Sequence, residues 1–371
     1  MKLSELAHGR DNNFNIIRIV AAFAVLVSHA FRLANLSSEP FENGTGISLG
    51  TMAVDVFFIT SGFLVTASLL TRKSTLEYLC ARALRIFPAL LVMVASTAFG
   101  LGLYFTAVPV SSYLSSSETY WYIFKNSTLI TGVYYFLPGV FEHNPFKGSV
   151  NGSLWSMVHE VRCYVILAIL WVGLKLVTQN RAALFKAAIV FCAVFCGAWY
   201  FTAHFFLSEG GSFRHMGFMF FTGASYYALK ERVRLSWILF WVFTGVVLLS
   251  SLNKTAFFLS YNLLLAYMLL FLAYIPSGLV RAYNRLGDYS YGVYIYAFPV
   301  QQSAEALFPG ISWGRMVLLS APVTLGLAAL SWHLLEKRAL SLKSSLLDRT
   351  RRVVRIQESD PAIRPALREI P

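Results

Sequence analysis

Two ionisable residues interrupt one long apolar run. Residues 14–33 read FNIIRIVAAFAVLVSHAFRL, with Arg18 and His29 eleven positions apart. At about 100° per residue that separation is close to three full turns, so both side chains point the same way, about 16 Å apart along the axis. A neutral imidazole there is either a structural histidine bonded between helices or a general base for a hydroxyl. Asp55, in GTMAVDVFFITSGFLV, lies at a similar depth in the next run. It either fixes the tautomer of that imidazole or pairs with another polar group. Ser61-Gly62 further along suits close helix packing. A fourth run opens NGSLWSMVHEVRCYVILAIL and crowds Trp155, Ser156, His159, Glu160 and Arg162 together. Ser156 and Glu160 share one helical face, and His159, on the adjacent one, competes with His29 as the base. So many charges are expensive to desolvate without use, which makes this cluster a candidate site.

Other residues suit anion or sugar contacts. Arg82 and Arg85 stand three apart on one helical face at the start of the third run. Their planar forks fit phosphate oxygens, and their charge equally fits lipid headgroups. Gln301 and Gln302 offer amides to a sugar or to a neighbouring helix. Glu336 beside Lys337 reads as a local ion pair.

The elements that must position these residues are membrane helices. Of 371 residues, 57% are hydrophobic and only 13% charged, about half the charged share of a soluble domain. The expected fold is an all-α polytopic membrane protein with about ten spans: 14–33, 51–71, 86–107, 154–175, 184–206, 213–229, 235–252, 255–275, 289–308 and 313–335. Alternate connections and the tail hold 23 of the 31 basic residues, and the opposite connections hold six. That split predicts both termini in the cytoplasm, and it explains the net charge of +13 by lipid contact without nucleic acid. The first run is read as a retained helix and not as a cleaved leader. Residues 1–337 form the membrane domain. Within it, a loop of about 108–152 lies outside, with 119–141 as an interfacial or re-entrant element. Residues 338–371 form a basic cytoplasmic tail: a short amphipathic piece on the inner leaflet, then disorder. Cys80, Cys163, Cys192 and Cys196 lie in or beside apolar runs and suggest buried thiols, with no metal or disulfide framework.

Taken in order, these blocks resemble the acyltransferase-3 superfamily of integral membrane acyltransferases. Arg18 and His29 resemble its first-helix signature, VDVFFITSGFLV (54–65) its second-helix block, and Arg82-x-x-Arg85 with Ile86 and Pro88 its arginine motif. LWSMVHE (154–160), SYGVYIYAFPV (290–300) and Glu336-Lys337 resemble later blocks, so the likeness runs from about 12 to 338. It implies transfer of an acyl group, commonly acetyl, from cytoplasmic acyl-CoA to a hydroxyl of an extracytoplasmic or lipid-linked glycan such as O-antigen or exopolysaccharide. It also implies a bacterial inner-membrane location, and no fused extracytoplasmic domain is expected. His29 would be the essential histidine, with Asp55 or Glu160 supporting it. Arg82 and Arg85 would face the coenzyme A phosphates and Arg18 would line the same track. Trp155, Ser156, His159 and Gln301 are left as acceptor contacts. His29 acts either as a general base or as an acyl carrier. Ala297 and Arg338 stand where many members carry His and Pro. A flippase for a lipid-linked sugar, an envelope scaffold, and an acyltransferase of a small molecule or lipid remain competing readings.

Overall fold

The structure is a computed structural model that describes residues 1–9, 11–35, 38–71, 74–147, 149–177, 180–207 and 211–342. Arg10, Arg72 and Lys73 of the charge pattern lie outside the described residues, as does the tail after 342 with its expected amphipathic piece. Among the described residues the chain is helical, and its β pairing is confined to two isolated bridges, Lys2–Arg234 and Thr106–Val140.

The principal helices are α1 (Phe14–Leu33), α2 (Leu49–Thr71), α3 (Thr75–Ser96), α4 (Ser117–Thr128), α5 (Trp155–Val177) and α6 (Arg181–Thr202). They continue with α7 (Ser212–Ala228), α8 (Trp237–Ser250), α9 (Lys254–Tyr274), α10 (Ser290–Leu307) and α11 (Trp313–Ser331). Among the described residues, seven helical stretches are long and apolar enough to cross a membrane: Phe14–Leu33, Leu49–Thr71, Thr75–Phe105, Gly152–Leu174, Arg181–Leu207, Lys254–Tyr274 and Trp313–Leu342. The other three expected spans are helices at the expected places, α7, α8 and α10, but shorter or more polar. The 14 residues of α8 reach about 21 Å, less than the roughly 30 Å of hydrocarbon.

Helix α1 is a continuous apolar run without Gly or Pro, and it ends where Asn35 turns left-handed at φ 61°. It packs on α2, α10 and α11, and α2 packs in turn on α7. The α2–α7 contact depends on two glycines. A Cβ on Gly62 would lie 1.9 Å from the Phe220 carbonyl oxygen, and one on Gly223 would lie 2.0 Å from that of Ile59. No larger residue permits this backbone approach. The packing role expected of Ser61-Gly62 therefore falls on the glycine. Helix α3 starts on the Ser74 side chain, which accepts from the Glu77 amide at 3.1 Å, and it closes against α10 and α5.

The long connection after α3 is structured. A π turn (Thr97–Leu101) and a short helix (Gly102–Phe105) extend α3. Tyr113 donates to the Ala98 carbonyl at 2.7 Å across this extension. The ambiguous stretch 119–141 holds α4, whose 12 residues are too few to span. Residues 144–147 and 149–151 then run beside α10. Asn144 donates to the Gln302 carbonyl (2.9 Å) and side-chain oxygen (2.8 Å), and Asn151 donates to the Ile295 carbonyl at 2.9 Å. Those two anchors are seven residues of α10 apart, about 10 Å. Pro299 explains the lower one. It lacks the N–H that would bond the carbonyl four residues back, that of Ile295, and the buried Asn151 amide takes its place.

Candidate active site

At one end of the bundle four charged side chains form a closed network. Arg18, one turn into α1, donates to Asp288 Oδ2 at 2.7 Å. Arg85 of α3 donates to the same oxygen at 2.5 Å, and its other Nη bonds Glu336. Ser331 donates to the second Glu336 oxygen at 3.1 Å. Ser290, opening α10, donates to Asp288 Oδ1 from its hydroxyl, 2.5 Å, and its amide, 3.3 Å. The Arg85 guanidinium also faces the rings of Tyr291 and Trp332, 5.5 and 5.6 Å away. Burial raises the Asp288 carboxyl pKa, but Arg18, Arg85 and Ser290 outweigh it and hold it down to about 2. Glu336 thus pairs across the fold with Arg85, which corrects the expected local pair with Lys337. Two cations meet two anions, so the network is neutral, and Arg82 makes no ion pair with it. Buried Arg82 Nε finds no partner among the described residues.

From this end a narrow cavity of about 20 Å³ leads inward between α1, α2, α5 and α10. Arg18, Phe57, Ser156, Glu160, Tyr291 and Tyr294 line it. Ser61 donates to Glu160 at 2.8 Å, Tyr164 bonds the same Glu160 oxygen, and Ser61 and Tyr164 are 2.7 Å apart. The Ser156 and Tyr294 hydroxyls are 2.6 Å apart, and Tyr294 donates to the Ser153 carbonyl at 2.9 Å. Arg18, Ser156 and Glu160 are therefore brought together. Tyr164 and Tyr294 complete the set, as their period-four and period-three spacing from Glu160 and Tyr291 allows.

His29 sits toward the opposite end and is not on this cavity wall. Its ring meets the Phe298 ring edge-on at 5.1 Å, and its buried Nδ1 has no hydrogen-bond partner among the described residues. Both Arg18 and His29 face α10 or the turn before it, as their spacing predicts. Between them on the same face stand buried Ala22 and Val25, so the polar line along α1 is apolar in its middle. Gln301 donates to the Leu26 carbonyl at 2.8 Å and is fully buried, an interhelical contact. Gln302 anchors the 144–151 segment, donating to the Ser149 carbonyl at 2.6 Å.

Asp55 is not brought to His29. Its Oδ1 lies 2.9 Å from His215 Nε2, at ion-pair distance without hydrogen-bond alignment, and Tyr261 donates to Oδ2 at 2.9 Å. His215 stacks on Tyr200 with centroids 4.6 Å apart. His159 packs between Trp155 and Phe213, 5.9 and 5.8 Å away, and its buried Nδ1 has no partner among the described residues. Sequence reasoning missed Asp288 and His215. A carboxylate just before a helix start, as in GDYSYG, was the available signal for the first; for the second, a histidine beside Arg214 at a span start is a weak one. No group of three His, Cys, Asp or Glu among the described residues could hold a metal.

Comparison with known proteins places this arrangement. A family model described as an acyltransferase domain, that of the acyltransferase-3 family, matches residues 11–333. An O-acetyl transferase of Shigella phage Sf6 is 32% identical over 365 residues, covering 91% of this chain and 98% of its own. Nodulation protein 10 of Rhizobium leguminosarum bv. viciae is 28% identical, covering 93% and 98%. A putative membrane-bound transacylase of Komagataeibacter xylinus is 27% identical over 39% of this chain and 37% of its own. No solved structure matches. With seven helices able to span a bilayer and the family match over most of its length, the chain belongs to the acyltransferase-3 family and is an integral membrane acyltransferase.

Proposed function

We propose that this enzyme O-acetylates a hydroxyl of an extracytoplasmic or lipid-linked glycan, of the O-antigen or exopolysaccharide kind, with acetyl-CoA as donor. The likeness along nearly the whole chain to a phage protein named an O-acetyl transferase supports the acetyl group. The observation that carries the geometry is the separation of chemistries: arginines at one end, and at the other an imidazole whose Nδ1 is without a protein partner. In this reading the arginine end faces the cytoplasm of a bacterial inner membrane, in keeping with the basic bias of its connections. Arg82, Arg85 and Arg18 receive the donor phosphates, and the narrow cavity beside Tyr291 and Tyr294 widens to admit the pantetheine arm.

A thioester needs little activation, whereas a sugar hydroxyl needs a base. His29 removes the hydroxyl proton as that oxygen attacks the acyl carbonyl. The C–S bond then breaks, and the thiolate of coenzyme A takes the proton from the imidazolium. Asp55, tied to His215 and Tyr261, acts here as a positioning group of the outer half. Glu160, Ser156, Trp155 and His159 border the path between donor and acceptor, and Gln301 holds α10 on α1.

The test follows acetyl-CoA consumption and the mass increment of the glycan in vesicles bearing wild-type protein or His29→Ala. Wild type releases coenzyme A only with acceptor present, and the variant falls by about 10²–10⁴-fold. Wild-type turnover in His29→Ala would remove the histidine from the chemistry.

A further inference from the structure

Asp288 does to Arg18 and Arg85 what a phosphate oxygen would do. A single atom, Oδ2, accepts from two guanidiniums that belong to different helices, at 2.7 and 2.5 Å. Glu336 takes the other Nη of Arg85. The two carboxylates cancel the two arginines, so an incoming anion meets a neutral cluster. Arginine forks already engaged by carboxylate cannot serve phosphate at the same N–H groups.

Asp288 also has a second set of partners. Its Oδ1 accepts from the hydroxyl and amide of Ser290, at the first turn of α10. A helix N-terminus favours a carboxylate, so the side chain keeps a satisfied position after Oδ2 is released. The arginines have a second face too: Arg18 borders the inner cavity as well as Asp288.

Resting on the reading of acetyl-CoA as donor, we propose that Asp288 is a resident anion. It holds Arg18 and Arg85 in place while the site is empty, and the donor's phosphate displaces it from them. Its negative charge therefore opposes donor binding, which separates this role from one in which Asp288 merely keeps the arginines in shape. A positioning carboxylate, once neutralised, leaves the arginines disordered and the donor bound more weakly. A resident anion, once neutralised, leaves them unopposed and the donor bound more tightly.

The experiment titrates acetyl-CoA into full-length detergent-solubilised protein by calorimetry, at low and high salt, for wild type, Asp288→Asn and Asp288→Glu. Asp288→Asn, which keeps an acceptor for Ser290, binds about three- to tenfold tighter at low salt, with the gain shrinking as salt screens it. Asp288→Glu retains the charge and stays near wild type. Asp288→Ser supplies a second neutral side chain should Asn impair folding. Equal or weaker binding in the folded neutral variants overturns the proposal, as does equal tightening in Asp288→Glu. If wild type binds no acetyl-CoA, the donor reading itself fails and the proposal fails with it; binding by wild type without tightening removes the proposal alone.

Discussion

The two ends of the bundle are built on opposite terms. At the arginine end every ionised group of the network has a partner: Arg18 and Arg85 share Asp288, and Glu336 completes the set. At the His29 end, Nδ1 of His29, Nδ1 of His159 and Oε1 of Gln301 are buried without a partner among the described residues, whereas on the arginine side Arg82 Nε, outside the network, is such an atom. A buried polar atom without a partner carries a desolvation cost. In the function proposed above, that cost falls where a substrate group arrives. A saturated network, in contrast, holds helices together while no ligand is present. Stability and activity should therefore respond differently to substitution at the two ends.

The largest expected effect on stability lies at the saturated end. Arg85→Ala leaves Glu336, only 1% exposed, without its cation and leaves Asp288 with Arg18 alone. Removing one partner of such a buried pair costs about 3–5 kcal/mol, read as a shift in the unfolding transition of the solubilised protein. His29→Ala, whose Nδ1 makes no bond, should leave that transition nearly in place while activity falls. Equal destabilisation by the two variants would erase the contrast. Arg85→Met with Glu336→Leu should recover part of the loss, because an apolar pair needs no mutual compensation.

How much of this was legible beforehand follows from what each signal encodes. The apolar runs placed the helices, and α1 falls on the expected residues 14–33 because nothing inside that run breaks it. The eleven-residue spacing put Arg18 and His29 on one face, and the structure turns that face toward α10 and the turn before it. Spacing within a helix gives a face, however, and never the partner across the gap. Asp55 and His29 share a depth, yet Asp55 meets His215, which is 160 positions away in the chain, because Gly62 and Gly223 pull α7 onto α2. Glu336 has Lys337 as its neighbour in sequence and Arg85 as its neighbour in space, because the chain after α11 packs against α3. The Asn151–Ile295 bond needed two facts together, the missing N–H of Pro299 and a loop long enough to reach it.

That bond is the next place to press the comparison, since it joins the loop to the helix that serves both ends. Asn151→Ala removes the donor to the Ile295 carbonyl and the acceptor for the Ser153 amide at 3.1 Å. The cost should be about 1–3 kcal/mol. Hydrogen exchange should rise first in 144–151 and around Ile295. Uniform exchange across α10 and α3 would mean that the segment is held by its apolar packing instead.

The smallest effect is confined to acid, and it concerns the saturated end alone. Asp288 is held down to about 2 from an ordinary 3.8. A carboxyl depressed by folding contributes stability that is fully present above its unfolded pKa and is lost as pH falls through the folded one. The contribution is on the order of 2 kcal/mol. Between pH 4 and pH 2 the wild-type unfolding transition should therefore move down more steeply than that of Asp288→Asn, and the two slopes should coincide above pH 5. Parallel curves throughout the acid range would place the pairing energy of the cluster on Arg85 and Glu336, and Asp288 would then be a bystander to the network it bridges.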